Sequence, residues 1–288
     1  TFRLADCAEE QASLSGVVID NLRVEFTTPN ALRLQWDSED TNEVFSSYEI
    51  VATSAAQGGG CSVRRYGSTE NPELAFFVLP SSDFVRATFA DGLAPDTEYL
   101  FQLIATDSQG KRSVSAALSA RTQAAPTQEI VVFSEITTPG YSIPADLQLA
   151  SSKPYSGSMH YSFVSPCQGT CYENLRRGDI QVDMSSMSAQ DFEGAFIEYA
   201  IASEEQHSYW SDIRLTFAKG GTNTLYRYQP LIHRADGEYR LYQVPLRSFW
   251  GGDPLTHAQA NETLFEFSFG GTWPLDTTVN LDEIRIRW

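Results

Sequence analysis

The residues best suited to chemistry lie between Tyr172 and Trp273, where aromatic rings fall among planar polar groups. Tyr172, His207, Tyr209, Trp210, Trp250 and Trp273 occupy loop-like sequence, whereas Leu225-Tyr226-Arg227-Tyr228 reads as strand. Flat apolar rings stack on the C–H faces of pyranose sugars, and Arg, Asn, Asp or Gln bond the hydroxyls. Such a set could serve non-covalent recognition of a sugar. Trp210, Trp250 and Trp273 lead the set, because Ser208, Gly251-Gly252 and Gly270-Gly271 mark turns beside them. Each also has a plainer explanation. A Tyr or Trp in a strand-rich chain is more often core, and an outward Arg beside a Glu is an ordinary cross-strand pair worth about 0.2–1 kcal/mol.

Bond-breaking chemistry finds little support. Glycosidic hydrolysis needs two carboxylates across a cleft, one with a raised pKa, and no E-x-D-x-E-like strand occurs. His160, His207, His233 and His257 are scattered, with no H-E-x-x-H, no G-x-S-x-G and no phosphate-cradling glycine loop. Leu231-Ile232-His233 is a faint echo of a polysaccharide lyase strand, but the companion Tyr/Lys strand is missing. A lyase ranks as the least favoured reading.

Charge narrows the partners. The formal net charge is −17, with acidic residues in excess on both sides of Pro126. An evenly negative field repels nucleic acid and anionic lipid, and suits neutral polysaccharide or cations. No apolar run approaches the ~20 residues of a membrane span, so no membrane insertion is expected. Four cysteines form two local sets, Cys7 with Cys61 and Cys167 with Cys171. An even count in a strand-rich chain suggests disulfides and an oxidising compartment, with free thiols or zinc as the alternatives. Zinc would need more Cys or His nearby than His160 alone.

Strand periodicity supplies the elements that must position these residues, and no window of a dozen residues sustains a helical period. Leu32, Leu34 and Trp36 share one face of Ala31 to Trp36. Tyr48, Ile50 and Ala52 share a face of Ser47 to Thr53, as do Tyr99, Phe101, Leu103 and Ala105 in Glu98 to Thr106. Turns are expected at Thr28-Pro29-Asn30, Gly58-Gly59-Gly60 and Asp107-Ser108-Gln109-Gly110. Further on, Ile213, Leu215 and Phe217 point inward and leave Asp212 and Arg214 outward. Tyr242, Val244 and Leu246 leave Gln243 outward, Phe265, Phe267 and Phe269 leave Glu266, and Ile284 and Ile286 leave Glu283 and Arg285. One sheet face is thus expected to collect Arg214, Gln243, Glu266 and Arg285.

Trp36 at a strand end, Tyr48 opening the next strand, Leu93-Ala-Pro-Asp-Thr-Glu-Tyr99 and the closing Ala105 to Ser115 together resemble a fibronectin type III domain over residues 16–123. The resemblance implies an immunoglobulin-like sandwich in which the Tyr99 hydroxyl bonds back to the backbone a few residues upstream. Trp36, Tyr48 and Tyr99 are then core or corner residues. Residues 1–15 form an N-terminal extension, and residues 124–127 (Ala-Ala-Pro-Thr) a linker.

Residues 128–288 resemble the galactose-binding-like β-jelly-roll sandwiches that serve as carbohydrate-binding modules. The stretches that carry this are Ile130 to Glu135, Ser152 to Phe163, Glu238 to Trp250 and Leu264 to Trp288, ending V-N-L-D-E-I-R-I-R-W. The resemblance implies a structural calcium held by Glu135, backbone oxygens of Ser156 and Gly157, and Asp282; hard cations want several oxygen ligands.

The fold class expected is all-β, a type III sandwich followed by a jelly roll. The function expected is a secreted or extracellular-surface, non-catalytic carbohydrate-binding protein or fragment. The ligand, a polysaccharide or glycan, would be held by Trp210, Arg214, Tyr226, Tyr228, Gln243, Trp250 and Trp273, with the type III domain as spacer. A catalytic module or neighbouring chains are further candidate partners. The alternative is a structural or adhesive surface protein such as a filament or matrix subunit, with Thr1 to Ser15 as a docking arm. Asn261-Glu262-Thr263 is an N-glycosylation sequon, and Arg177-Gly178-Asp179 reads as a turn that matches the integrin-type tripeptide by chance.

Overall fold

A computed structural model describes residues 4–8, 15–40, 44–55, 60–77, 86–133, 148–150, 160–164, 169–176, 182–203, 211–219, 222–231, 237–260, 263–273 and 278–288. The chain divides into two compact units, Thr1–Ala125 and Pro126–Trp288.

The first unit contains β1 (Val17–Thr27), β2 (Leu32–Asp40), β3 (Phe45–Ala55), β4 (Cys61–Tyr66), β5 (Ala87–Ala90), β6 (Glu98–Asp107), β7 (Arg112–Val114) and β8 (Leu118–Arg121). One sheet runs β1-β2-β5. The other runs β4-β3-β6-β7, with β8 also on β6. The alternating faces read from sequence fill the space between them. Leu32, Leu34, Trp36, Tyr48, Ile50, Phe101, Leu103 and Ala105 are all buried in one cluster, and the Trp36 and Tyr48 rings meet edge to face at 5.2 Å. The Tyr99 hydroxyl accepts the Ala94 N–H at 2.9 Å, the backward bond expected of the corner. Asp107 shapes the turn after β6, its Oδ1 accepting the N–H groups of Gln109 and Lys111, each at 2.9 Å. The opposite face of β2 is less wet than alternation alone suggests. Arg33 is buried, with its Nε 3.3 Å from Glu25 and its guanidinium over the Phe89 ring.

Cys7 and Cys61 form a disulfide that pins a 3-10 turn, Leu4–Cys7, to the first residue of β4. Ser15 meets the Ser113 hydroxyl at 2.8 Å. Both described stretches of the N-terminal extension are therefore tied to the domain.

The second unit contains β9 (Glu129–Phe133), β10 (Gln148–Ala150), β11 (His160–Val164), β12 (Gly169–Arg176), β13 (Val182–Asp183), β14 (Phe196–Ser203), β15 (Ser211–Lys219), β16 (Thr222–Leu231), β17 (Arg240–Pro245), β18 (Thr263–Trp273) and β19 (Thr278–Arg287). They build two antiparallel sheets. The first runs β10-β11-β19-β14-β17 with β9 on β19, and the second runs β12-β18-β15-β16 with β13 on β18. A short helix, α1 (Ala189–Gly194), starts at a capping box in which the Ser188 hydroxyl and the Asp191 carboxylate satisfy each other's backbone N–H.

Strand β14 is buried along its whole length, on both faces. Its continuous F-I-E-Y-A-I-A-S run has no wet side, so alternation does not announce it. The same burial corrects the exposure expected of Gln243 and Glu283. Both were expected outward, and both are buried. Gln243 donates to Glu198 on β14 at 2.6 Å, Glu198 accepts from Arg287 at 2.9 Å, and Glu283 pairs with Arg285, which reaches Glu129 at 3.1 Å. Glu283 also has φ 50°, at the irregularity where β19 slips register against β14. Alternation says which face a residue occupies, and paired charges allow that face to be dry.

Candidate carbohydrate-binding site

The site is built by a turn pressed onto an edge strand. After β17 the chain passes through a 3-10 turn, Leu246–Ser248, to Phe249, whose ring is fully buried against Tyr228 of β16 at 6.0 Å. Leu255 is also buried, and its N–H donates to the Phe249 carbonyl at 2.8 Å. Between these two anchors the chain makes a tight excursion, closed by a bridge between Trp250 and Pro254 and by Gly251 N–H donating to the Asp253 carbonyl at 3.1 Å. With Phe249 taking the inward direction, Trp250 turns out and is 52% exposed.

Both glycines are required. A Cβ on Gly251 would lie 2.4 Å from the Leu225 carbonyl oxygen and 3.0 Å from the Tyr226 ring, so only glycine lets the turn approach β16 this closely. Gly252 has φ +107°, in the region L side chains rarely adopt. Trp250, Gly251 and Gly252 with Arg214 of β15 and Leu225 of β16 line an open cavity of about 230 Å³. Leu225 is 43% exposed, so the cavity offers two apolar surfaces and a guanidinium.

Register sets which strand positions neighbour Arg214 and Leu225 across the sheet. Asn174 of β12 lies opposite Ser268 of β18, which lies opposite Arg214, which lies opposite Arg227. On the neighbouring row, Arg176, Glu266, Thr216 and Leu225 are opposed in the same order. The alternate positions Ile213, Leu215, Phe217, Tyr226 and Tyr228 are all buried, so these two rows share the face turned away from the core.

Of the seven ligand residues expected from sequence, the structure brings Arg214 and Trp250 together. Tyr226 and Tyr228 are 2% and 3% exposed. Their rings are core, which corrects their assignment to a binding surface; they alternate with the outward Leu225. Gln243 belongs to the other sheet, as does Arg285, while Arg214 and Glu266 share the second. The single face expected to collect all four does not exist, because strand order separates them. Trp273 ends β18 opposite Gly169 and is described by its backbone. Trp210 lies outside the described residues. Leu225 was not anticipated, although its position next to the inward Tyr226 was the available signal.

Glu135, Ser156 and Gly157, expected to hold calcium, also lie outside the described residues, as do Cys167, the sequon Asn261 and Arg177 to Asp179; Cys171 is placed in β12 opposite Gly271. Asp282 is fully buried, and its Oδ1 accepts the Glu283 N–H at 2.8 Å. Burial, and then the Asp282 carboxylate, push the Tyr239 hydroxyl well above the usual tyrosine range. Among the described residues no group of three or more His, Cys, Asp or Glu could hold a metal. One carboxylate does not by itself make a calcium site.

Fold and site define an all-β chain in which an N-terminal fibronectin type III domain is joined to a second antiparallel unit bearing an exposed, arginine-flanked tryptophan. Residues 18–121 match the family model of the fibronectin type III domain. Over 281 residues the chain is 26% identical to usherin of Mus musculus, a match covering 91% of this chain and spanning 4% of the length of that curated relative. Among solved structures, a family 30 carbohydrate-binding module is similar with a TM-score of 0.41 and 14% identity, over 56% of this chain and 88% of that one. The FN5 domain of Drosophila Lar is similar with a TM-score of 0.27 and 18% identity, over 37% of this chain and 96% of that one. No described helix is long and apolar enough to cross a membrane.

Proposed function

We propose that this chain is an extracellular, non-catalytic glycan-binding protein, with the ligand seated on Trp250 and the outward face of the β12-β18-β15-β16 sheet. One observation carries the reading. A half-exposed Trp ring stands beside Arg214 and Leu225 over an open cavity, held there by a turn that only glycine can make. An exposed aromatic backed by planar donors is what a pyranose needs: stacking for its C–H face and hydrogen bonds for its hydroxyls. Asn174, Ser268 and Arg227 stand at register positions in the same row as Arg214. The Cys7–Cys61 disulfide and the type III domain suit an oxidising, extracellular setting, with that domain as spacer.

The test is affinity electrophoresis of the whole chain through gels containing neutral and acidic polysaccharides, wild type beside Trp250→Ala. The proposal expects retardation by at least one polymer and its loss in the variant, with thermal stability unchanged because the ring is exposed. Absence of binding to every polymer, or binding indifferent to Trp250, would sink it.

A further inference from the structure

We infer that this site selects a pyranose carrying a methyl group, as an N-acetyl or a 6-deoxy sugar does, over the counterpart with a hydroxyl in its place. The inference rests on the glycan reading above and adds the chemical class of the ligand. It starts from Leu225. Tyr226 and Tyr228 are buried, so alternation along β16 turns Leu225 to the side away from the core, where it stands exposed. The positions around it on that side are polar: Asn223 and Arg227 along β16, with Thr216 and Arg214 opposite Leu225 and Arg227 on β15. A single exposed leucine needs no explanation, but Leu225 lines the same cavity as the exposed Trp250. Two exposed apolar side chains on one cavity make a contact surface for apolar groups.

The rest of the lining sets what can meet Leu225. Gly251 and Gly252 contribute backbone, and among the described lining residues no side chain is a hydroxyl, an amide or a carboxylate. A Cβ on Gly251 would lie 2.4 Å from the Leu225 carbonyl oxygen, so the turn that bears Trp250 is pressed onto the backbone of Leu225 itself. A sugar seated on the indole is thereby brought up to the leucine. A pyranose turns one C–H face to the indole and carries its hydroxyls around the ring edge. An edge hydroxyl that faces Leu225 loses water and gains no partner, whereas a methyl there is itself removed from water. The acetamido group of an N-acetyl sugar and C6 of a deoxy sugar both end in such a methyl.

The experiment is calorimetric titration of the whole chain with matched pairs. Chito-oligosaccharides beside cello-oligosaccharides differ in the acetamido group; glycosides of L-fucose beside L-galactose, and of L-rhamnose beside L-mannose, differ at C6. The inference expects the methyl-bearing member of at least one pair to bind about four-fold or more tightly, the factor that burial of one methyl group gives. A preference confined to the acetamido pair, or to the deoxy pairs, assigns the methyl to that source. Leu225→Ser should bring the ratio close to one and Leu225→Met should keep it, both with the melting temperature retained. Equal or tighter binding of the hydroxyl member in every pair overturns the methyl class while the glycan reading stands. So does retardation by a polysaccharide in the electrophoresis test with no binding to any member of a pair. A ratio unmoved by Leu225→Ser overturns the role of Leu225. No binding to any glycan in either experiment overturns the glycan reading itself.

Discussion

Replacing Gly251 by Ala tests how the structure holds Trp250 in place. The added Cβ would sit 2.4 Å from the Leu225 carbonyl oxygen, against the 3.4 Å at which ordinary contact begins. The oxygen cannot retreat, because β16 is held in register along β15. The turn must lift by about the 1.0 Å difference between those two distances. Overpacking of this kind costs about 1–3 kcal/mol, and about 2–4 °C of melting temperature per kcal/mol in a unit of this size. Trp250 is the adjoining residue and moves with the turn. A binding surface displaced by ~1 Å loses its fit, so glycan affinity should fall about ten-fold or more. Gly194→Ala is the control. It ends α1 with nothing within 4 Å of its Cβ and no positive φ, and should be neutral or stabilising by about 0.4–1 kcal/mol. Thermal unfolding and affinity electrophoresis of both variants read the two effects. If Gly251→Ala melts and binds like wild type, the turn is not pressed on β16, and the explanation for the exposed tryptophan fails.

Other outcomes follow from the first unit and from buried tyrosines. Tyr99→Phe removes the acceptor for the Ala94 N–H and should destabilise the type III domain by about 1–3 kcal/mol, measured by urea unfolding, without changing glycan binding. Replacing Cys7 and Cys61 together by Ser frees a loop of 54 residues' separation; loop-closure entropy puts the loss at about 4 kcal/mol, and the same loss should follow reduction of the wild type. Burial raises the Tyr48 and Tyr239 hydroxyls in the folded chain, the latter helped by Asp282. Unfolded tyrosines ionise near pH ~10, so this contribution to stability is complete below that pH and is lost as pH rises through the raised folded values. Unfolding free energies flat through pH 11.5 would contradict it.

The sequence made the type III domain legible because its signals are local. Tyr99 six residues after Leu93, and apolar residues at every second position from Leu32 to Trp36, depend on nothing distant. Trp250 was legible for the same reason: the Gly251-Gly252 pair marks a turn that leaves its neighbour exposed. Features set by strand order were hidden. Nothing local says that Arg214 and Gln243 belong to different sheets, or that Phe196 to Ser203 runs between β17 and β19 with both faces covered. Tyr226 and Tyr228 were misplaced because an aromatic on a strand looks alike in core and platform until its partners are known. Gln243 and Glu283 were assigned to a wet face because alternation cannot foresee that Glu198 and Arg285 will partner them.

The central claim is that Trp250 and its neighbours hold a sugar. Affinity electrophoresis of the whole chain, wild type against Trp250→Ala, tests it most directly. The account predicts retardation by at least one polysaccharide, abolished in a variant that melts at the wild-type temperature. Equal retardation of the two proteins, or none of the wild type in any polymer, would contradict it.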